Sequence, residues 1–300
     1  MSQTEAWTIG RLLQWTTQYL KERGGDSPRL DAEVLLAEAR GCRRIELYTS
    51  FEEVPSEPVR TAFRELVRRR AEGTPVAYLV GRREFYSLSF RVTPDVLIPR
   101  PETEFLLIRL FDLMDERPDA TENCSIADVG TGSGILAVCA ARRGTNVHVT
   151  AIDKSAAALA VARSNAVDHG VEKQIEFVES DLFAAIAADK HFEFVISNPP
   201  YVSSSEFAAL APDVRNFEPR AALEAGPRGT EVIERLVPQA AERLAPGGWL
   251  LVEISPMIEA ESRRLMEADP RLKLHPTVKD LAGLPRIVQA QRKTTIASDL

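Results

Sequence analysis

Apolar residues up to residue 81 recur at helical spacing. Thr8 is placed to cap a segment carrying Ile9, Leu12, Leu13, Trp15, Tyr19 and Leu20, which ends at Gly24-Gly25. Ser27-Pro28 starts a second helix through Leu30, Val34, Leu35 and Leu36, closing near Gly41. Arg44 to Phe51 suits a short third, and Ser56 caps a fourth through Val59, Phe63, Leu66 and Val67 that stops at Gly73. Short helices with short connections predict a small bundle. Arg68-Arg69-Arg70 on the fourth helix reads as a solvated helix end that complements the dipole, with an acidic or nucleic-acid partner as the alternative.

The pattern then changes. Phe85 to Val92 alternates apolar and polar residues and Val96 to Ile98 is a short apolar run, together predicting a hairpin. Glu102 to Met114 resumes a helical period. From Ser125 strand and helix alternate, with strands expected at Ile126–Val129, Val147–Ile152, Ile175–Val178, Phe192–Ser197, Trp249–Ile254, Leu272–Leu274 and Ile287–Ala290. Helices are expected at Gly134–Arg143, Ser155–His169, Glu231–Leu244 and Glu259–Glu267, with a long loop between Ser197 and Glu231. Such alternation predicts an α/β, Rossmann-like fold: a mostly parallel sheet with helices on both faces.

Composition narrows the class. Apolar residues are 44% and charged residues 27% of 300, an ordinary globular balance. The start Met1-Ser2-Gln3-Thr4-Glu5 is unlike a signal peptide, and no uncharged apolar stretch reaches the roughly 20 residues that span a bilayer. Cys42, Cys124 and Cys139 are odd in number and lack metal-type spacing, so neither a disulfide framework nor a metal site is expected, and the cytoplasm fits best. A net charge of −7 disfavours a broad nucleic-acid surface.

The first strand of the alternating region ends in Asp128-Val129-Gly130-Thr131-Gly132-Ser133-Gly134. Glycine lets a backbone turn sharply and approach a ligand closely. A dinucleotide fingerprint would place its third glycine at residue 135, which is isoleucine; the spacing here is that usual for S-adenosylmethionine. Asp153, after the next strand, can accept both ribose hydroxyls, and Asp181, in Ser180-Asp181-Leu182 after the third, can accept from the adenine amine. Each acid alone would read as a helix cap or turn residue. The cofactor set is therefore Gly130, Thr131, Gly132, Ser133, Gly134, Asp153, Asp181 and Leu182, with Asn198 at its border.

The strongest signal is Asn198-Pro199-Pro200-Tyr201 after the strand Phe194–Ser197. Two prolines fix φ and remove N–H donors, leaving rigid carbonyl acceptors. The Asn198 oxygen and the Pro199 carbonyl can each take one N–H of a planar NH2, while Tyr201 stacks on the planar group. This orients a nitrogen lone pair toward a sulfonium methyl, and no prior general base is needed. The motif suits both a glutamine amide and the exocyclic amine of adenine.

Beyond these motifs the chain carries Gly73-Thr74-Pro75-Val76-Ala77-Tyr78-Leu79-Val80-Gly81 with Phe85, Ile98-Pro99-Arg100-Pro101-Glu102-Thr103-Glu104, and Phe217-Glu218-Pro219-Arg220-Ala221-Ala222-Leu223. With these it resembles, over nearly its full length, the protein-(glutamine-N5) methyltransferases that modify class-1 peptide chain release factors. The resemblance implies a seven-stranded class I methyltransferase domain at residues 100–300, a helical substrate-recognition domain at 1–81 and a hairpin linker at 82–99. It implies methylation of the glutamine in the Gly-Gly-Gln loop of a release factor, held by Asn198 and Pro199 and flanked by Pro200 and Tyr201. Arg100 and Glu102 are expected near the junction of cofactor and substrate. A related group methylates a ribosomal-protein glutamine and remains the rival acceptor. The chain departs from the family at Ser255, where a glycine is usual after Ile254, and at Ala225-Gly226, where two glycines are common.

Overall fold

Cys124–Val129, Val147–Asp153 and Phe192–Ser197 bury nearly every side chain, as strands covered on both faces do. The structure, a computed structural model, describes residues 6–117 and 122–294. The chain divides into two units, one of residues up to Arg82 together with Ala211–Phe217, the other of Arg83–Leu210 and the chain from Glu218.

The helical unit holds α1 (Ile9–Lys21), α2 (Pro28–Arg40), α3 (Arg44–Thr49), α4 (Glu57–Ala71) and α5 (Val76–Val80). Thr8 caps α1, its hydroxyl accepting from the Arg11 N–H at 3.3 Å, and Gly41 ends α2 in the left-handed region at φ +67°. Ser56 stands at the start of α4 but its side chain makes no capping bond. Five residues are too few to show a period, which is why α5 was invisible in the apolar pattern. Ile9, Leu13, Leu35, Leu36 and Phe63 pack the core. Of the arginine run, Arg68 and Arg69 are exposed as expected of a solvated helix end, Arg68 pairing with the exposed Glu65 and Glu72, whereas Arg70 is tied to the buried Asp31 at 2.8 Å.

In the second unit β1 (Arg82–Phe85) and β2 (Leu88–Arg91) form the hairpin. This corrects the expectation: both strands lie before Val92, and Val96–Ile98 is irregular chain. The turn, Tyr86-Ser87, takes φ +48° and +59° without the glycine or asparagine that usually marks such a turn, so the sequence hid it. Its Tyr86 N–H donates to Glu104 Oε1 at 2.9 Å. There follow α6 (Glu104–Asp115), β3 (Cys124–Val129), α7 (Ile135–Ala141), β4 (Val147–Asp153), α8 (Ala156–Asp168), β5 (Ile175–Glu179) and β6 (Phe192–Ser197). The expected long loop is instead β7 (Val202–Ser203), α9 (Ser204–Ala209), α10 (Pro212–Phe217), which belongs to the helical unit, α11 (Arg220–Leu223) and β8 (Glu224–Gly226). These elements are too short to carry a period. The chain ends with α12 (Glu231–Arg243), β9 (Leu244–Glu253), α13 (Glu259–Ala268), β10 (Leu272–Leu274), β11 (Val278–Lys279) and β12 (Pro285–Arg292).

Among the described residues the main sheet has the order β10-β12-β9-β6-β3-β4-β5, with the short β11 added beside β12 as an eighth strand. Pairing is parallel from β9 to β5, and β12 runs antiparallel between β9 and β10. Alternate residues feed two cores: Ile126, Phe194 and Ile196 meet α6 and α7, whereas Val129, Val195 and Val252 meet α12. From β3 the chain winds outward through β4 and β5, then returns to β6 on the other side. The carboxyl ends of β3 and β6 therefore flank a switch-point crevice.

Candidate active site

That crevice is a pocket lined from every expected quarter. Gly130, Thr131, Gly132 and Ser133 follow β3, Asp153 ends β4, Asp181 and Leu182 follow β5, and Asn198, Pro199 and Pro200 follow β6. Arg100 and Thr103 complete one wall. Gly134, Glu102 and Tyr201 are not among the lining residues.

Gly130 and Gly132 have φ of +77° and +54°. A Cβ on either would reach no atom nearer than 3.9 Å and 4.0 Å respectively, so the bare backbone borders open pocket space, a cradle for a closely held ligand. Gly134 does a different task. At φ +80° a Cβ there would lie 2.9 Å from the Ala162 Cβ, so this glycine lets α7 pack on α8. Helix packing, which the dinucleotide fingerprint assigns to a glycine at the next position, is thus met one residue earlier. Beneath the loop, Asp128 Oδ2 accepts from the Thr131 hydroxyl at 2.6 Å and the Ala137 N–H at 3.1 Å. Burial pushes the Asp128 carboxyl up to about 7, against the lowering effect of those two bonds. On the far side of the loop, Asn165 donates to the Ser133 carbonyl at 2.8 Å and the Arg91 carbonyl at 3.1 Å, and accepts from the Arg91 N–H at 2.7 Å.

Both Asp153 oxygens are engaged, Oδ2 by the Gly132 N–H and Oδ1 by the Ser155 N–H, each at 2.9 Å. Each carboxylate oxygen has a second lone pair, so the bonds hold the side chain still without closing it to hydroxyl donors. Asp181 is ion-paired with Arg235, and Leu182 adopts φ +52° at the pocket wall.

On the opposite wall, Asn198 Nδ2 donates to Thr103 Oγ1 at 3.1 Å, leaving Oδ1 as the acceptor end of that amide. Glu253, at the end of β9, lies near Thr103, and its Oε2 is buried without a hydrogen-bond partner among the described residues. Burial pushes the Glu253 carboxyl up to about 7, with the nearby Thr103 hydroxyl acting against that rise. Arg100 Nη2 donates to Glu218 Oε1 at 2.6 Å, and the Ile98 N–H to Oε2 at 3.1 Å. Glu102 instead stands 3.8 Å from Arg286. Tyr201 packs on the apolar core behind the turn, and burial raises its phenol well above the usual range. Thr103, Glu218 and Glu253 had no assigned role in the sequence reading. The first two lie inside the quoted runs, but nothing local marks a side chain whose partner is 95 or more positions away.

Two family models match the chain, the PrmC N-terminal domain over residues 11–81 and the methyltransferase small domain over residues 106–213. A release factor glutamine methyltransferase of Rhodopirellula baltica is 50% identical over 286 residues, 95% of this chain and 97% of the relative. Proteins of the same name from Geobacter sulfurreducens and Koribacter versatilis are 40% and 38% identical, covering 83% and 96% of this chain and 85% and 100% of theirs. Among solved structures, the Thermus thermophilus 16S rRNA N2 G1207 methyltransferase in complex with AdoMet and guanosine has the same fold, at TM-score 0.51 and 18% identity over 71% of this chain and 50% of that one.

Proposed function

We propose, since the chain belongs to the release factor glutamine methyltransferase family, that it methylates the side-chain nitrogen of the glutamine in the Gly-Gly-Gln motif of a class-1 release factor, with S-adenosylmethionine as donor. The observation that carries this reading is the shared pocket, in which Asn198, Pro199 and Pro200 face the glycine loop after β3. The loop and the ends of β4 and β5 hold the donor: bare backbone at Gly130 and Gly132, ribose hydroxyls on Asp153, and the adenine beside Asp181 and Leu182. S-adenosylmethionine supplies an electrophilic sulfonium methyl there. No metal is required for such a displacement.

The chain's own residues then position the acceptor. An amide nitrogen is a weak nucleophile, because its lone pair is delocalised into the carbonyl. Asn198 Oδ1 and the Pro199 carbonyl accept its two N–H bonds, which fixes the direction of the lone pair and raises electron density on nitrogen as the methyl arrives. Such positioning in a water-poor site is worth about 7–11 kcal/mol of barrier in favourable cases. As the C–N bond forms the C–S bond would break, S-adenosylhomocysteine would be the leaving group, and the excess proton would pass from the nitrogen to water. Tyr201, seated on the core, supports the turn from behind. Arg100, anchored by Glu218, and Glu102 border the entry of the acceptor segment. The helical unit recognises the partner protein.

Among the described residues no helix is long and apolar enough to cross a membrane. A cytoplasmic enzyme meeting a translation factor fits that observation, and the net charge of −7 disfavours DNA as acceptor. Incubation with labelled S-adenosylmethionine and, separately, a release factor, ribosomal protein and adenine-containing DNA tests the reading. One methylated glutamine in the release factor is expected by mass spectrometry, absent with Asn198→Ala; label in DNA or ribosomal protein alone would refute it.

A further inference from the structure

Leu182 stands at the pocket wall with φ +52°, a left-handed conformation that leucine adopts only where its surroundings enforce it. Here the enforcement comes from both sides. Before Leu182, the Ser180 N–H donates to the Asp153 carbonyl at 2.9 Å, and Arg235 Nη2 donates to Asp181 Oδ2 at 2.5 Å. After it, the Phe183 N–H donates to Gln239 Oε1 at 3.3 Å, while Gln239 Nε2 is spent on the Arg235 carbonyl at 3.0 Å. Arg235 and Gln239 are four apart on α12 and share one of its faces. Ile233, Leu236 and Val237 bury the other face in the core, so α12 is a fixed template for the Asp181-Leu182-Phe183 turn. The Arg235 and Asp181 side chains are 54% and 56% exposed, and a pair so exposed adds little to stability. Its place says more. Both residues line the pocket, and the pair uses Asp181 Oδ2, leaving Oδ1 without a hydrogen-bond partner among the described residues.

We propose that Arg235 is a specificity-determining residue of the donor site: by holding Asp181 through Oδ2, it aims Oδ1 at the exocyclic amine of the donor's adenine. The inference rests on the donor assigned in the function proposed above. An amine offers N–H bonds that a carboxylate oxygen accepts. Hypoxanthine, the deaminated base, carries a carbonyl oxygen at that position, so two oxygens would meet there with no hydrogen between them. An unheld carboxylate turns away from such a contact, and a free Asp181 would therefore discriminate poorly. Arg235 removes that escape. The site then rejects a nucleoside that differs from the donor at a single group.

Calorimetry on the full chain, with S-adenosylhomocysteine and its deaminated analogue S-inosylhomocysteine, tests this. The unaltered protein should bind the adenine form about 10- to 100-fold tighter, the effect of one hydrogen bond to a charged group. Arg235→Met should lower that ratio about 10-fold, chiefly by weakening the adenine form, with the urea midpoint unchanged. Arg235→Lys, which keeps a cation beside Asp181, should recover part of the ratio. In an Asp181→Asn background, Arg235→Met should change the ratio no further. An unchanged ratio in Arg235→Met would overturn the inference alone. So would equal weakening of both ligands, the result of losing a simple contact with the base. Failure of the unaltered protein to bind S-adenosylhomocysteine would overturn the donor assignment and the inference together.

Discussion

The two walls of the crevice solve the problem of ligand approach in opposite ways. After β3 the backbone is freed: Gly130 and Gly132 adopt left-handed conformations, and their missing side chains leave the space. After β6 the backbone is locked by Pro199 and Pro200, and a side-chain amide, steadied by Thr103, is the group proposed to recognise the acceptor. A buried acid stands behind each wall, Asp128 under the loop and Glu253 behind the turn. The difference teaches what each wall must tolerate. In the proposed function the first encloses a ligand whose shape is always the same. The second, in that reading, admits part of a protein and must hold one nitrogen in one direction.

If that contrast is right, damage to the two walls should separate in the measurements. The largest effect is expected from Asn198→Ala, which should reduce kcat by about 10²–10³-fold while S-adenosylmethionine binding stays within a few-fold. Single-turnover rates and calorimetry check it; a matching loss of donor binding would erase the distinction between the walls. Next is Arg100→Met, which leaves the Glu218 carboxylate, its side chain 1% exposed, without its cation. Breaking such a pair should cost about 3 kcal/mol in urea unfolding, the low end because Arg100 is partly exposed, and an added Glu218→Gln should recover part of it. Gly134→Ala should cost about 1–3 kcal/mol, since its Cβ would lie 2.9 Å from Ala162 in a left-handed backbone. Gly132→Ala meets nothing nearer than 4.0 Å, so it should lose donor affinity more than stability. Equal unfolding midpoints for the two alanine variants would contradict these separate tasks.

The smallest effect is in pH. Burial raises the Asp128 carboxyl from 3.8 to about 7, so between those values the folded protein holds a proton that the unfolded chain has released. Stability contributed by this group must then fall as pH rises through that window and level off above it. Asp128→Asn removes the dependence. The wild-type advantage over this variant should shrink between pH 5 and pH 8 in urea unfolding, and a constant difference would contradict the assignment.

Strand ends were legible because three requirements coincide there: apolar runs, a turn, and the few residue types that a close ligand tolerates. Asp153, Asp181 and Asn198 therefore met in one pocket as expected. Elements without a local mark were hidden. The Tyr86-Ser87 turn lacks glycine and is stabilised by Glu104, 18 positions away. The residues between Tyr201 and Glu231 form pieces of six residues or fewer, too short to repeat a helical period. Thr103 and Glu253 were out of reach for another reason. Threonine at a helix start and glutamate at a strand end are ordinary residues singly, and only the folded sheet brings them together. Gly134 was legible as necessary but not for its purpose, which depends on Ala162 on the neighbouring helix.

Asn165 carries a consequence for the order in which the protein can be made. Its amide joins Arg91 on the hairpin, 74 positions earlier, to Ser133 in the glycine loop, 32 positions earlier. As the chain emerges during synthesis, the hairpin and the loop are both complete before the residue that ties them exists. The donor cradle acquires this fastening only once α8 has been added, and the hairpin is secured in the same event. A ribosome-bound chain halted before residue 165 would hold every glycine of the loop and lack the clasp that closes it.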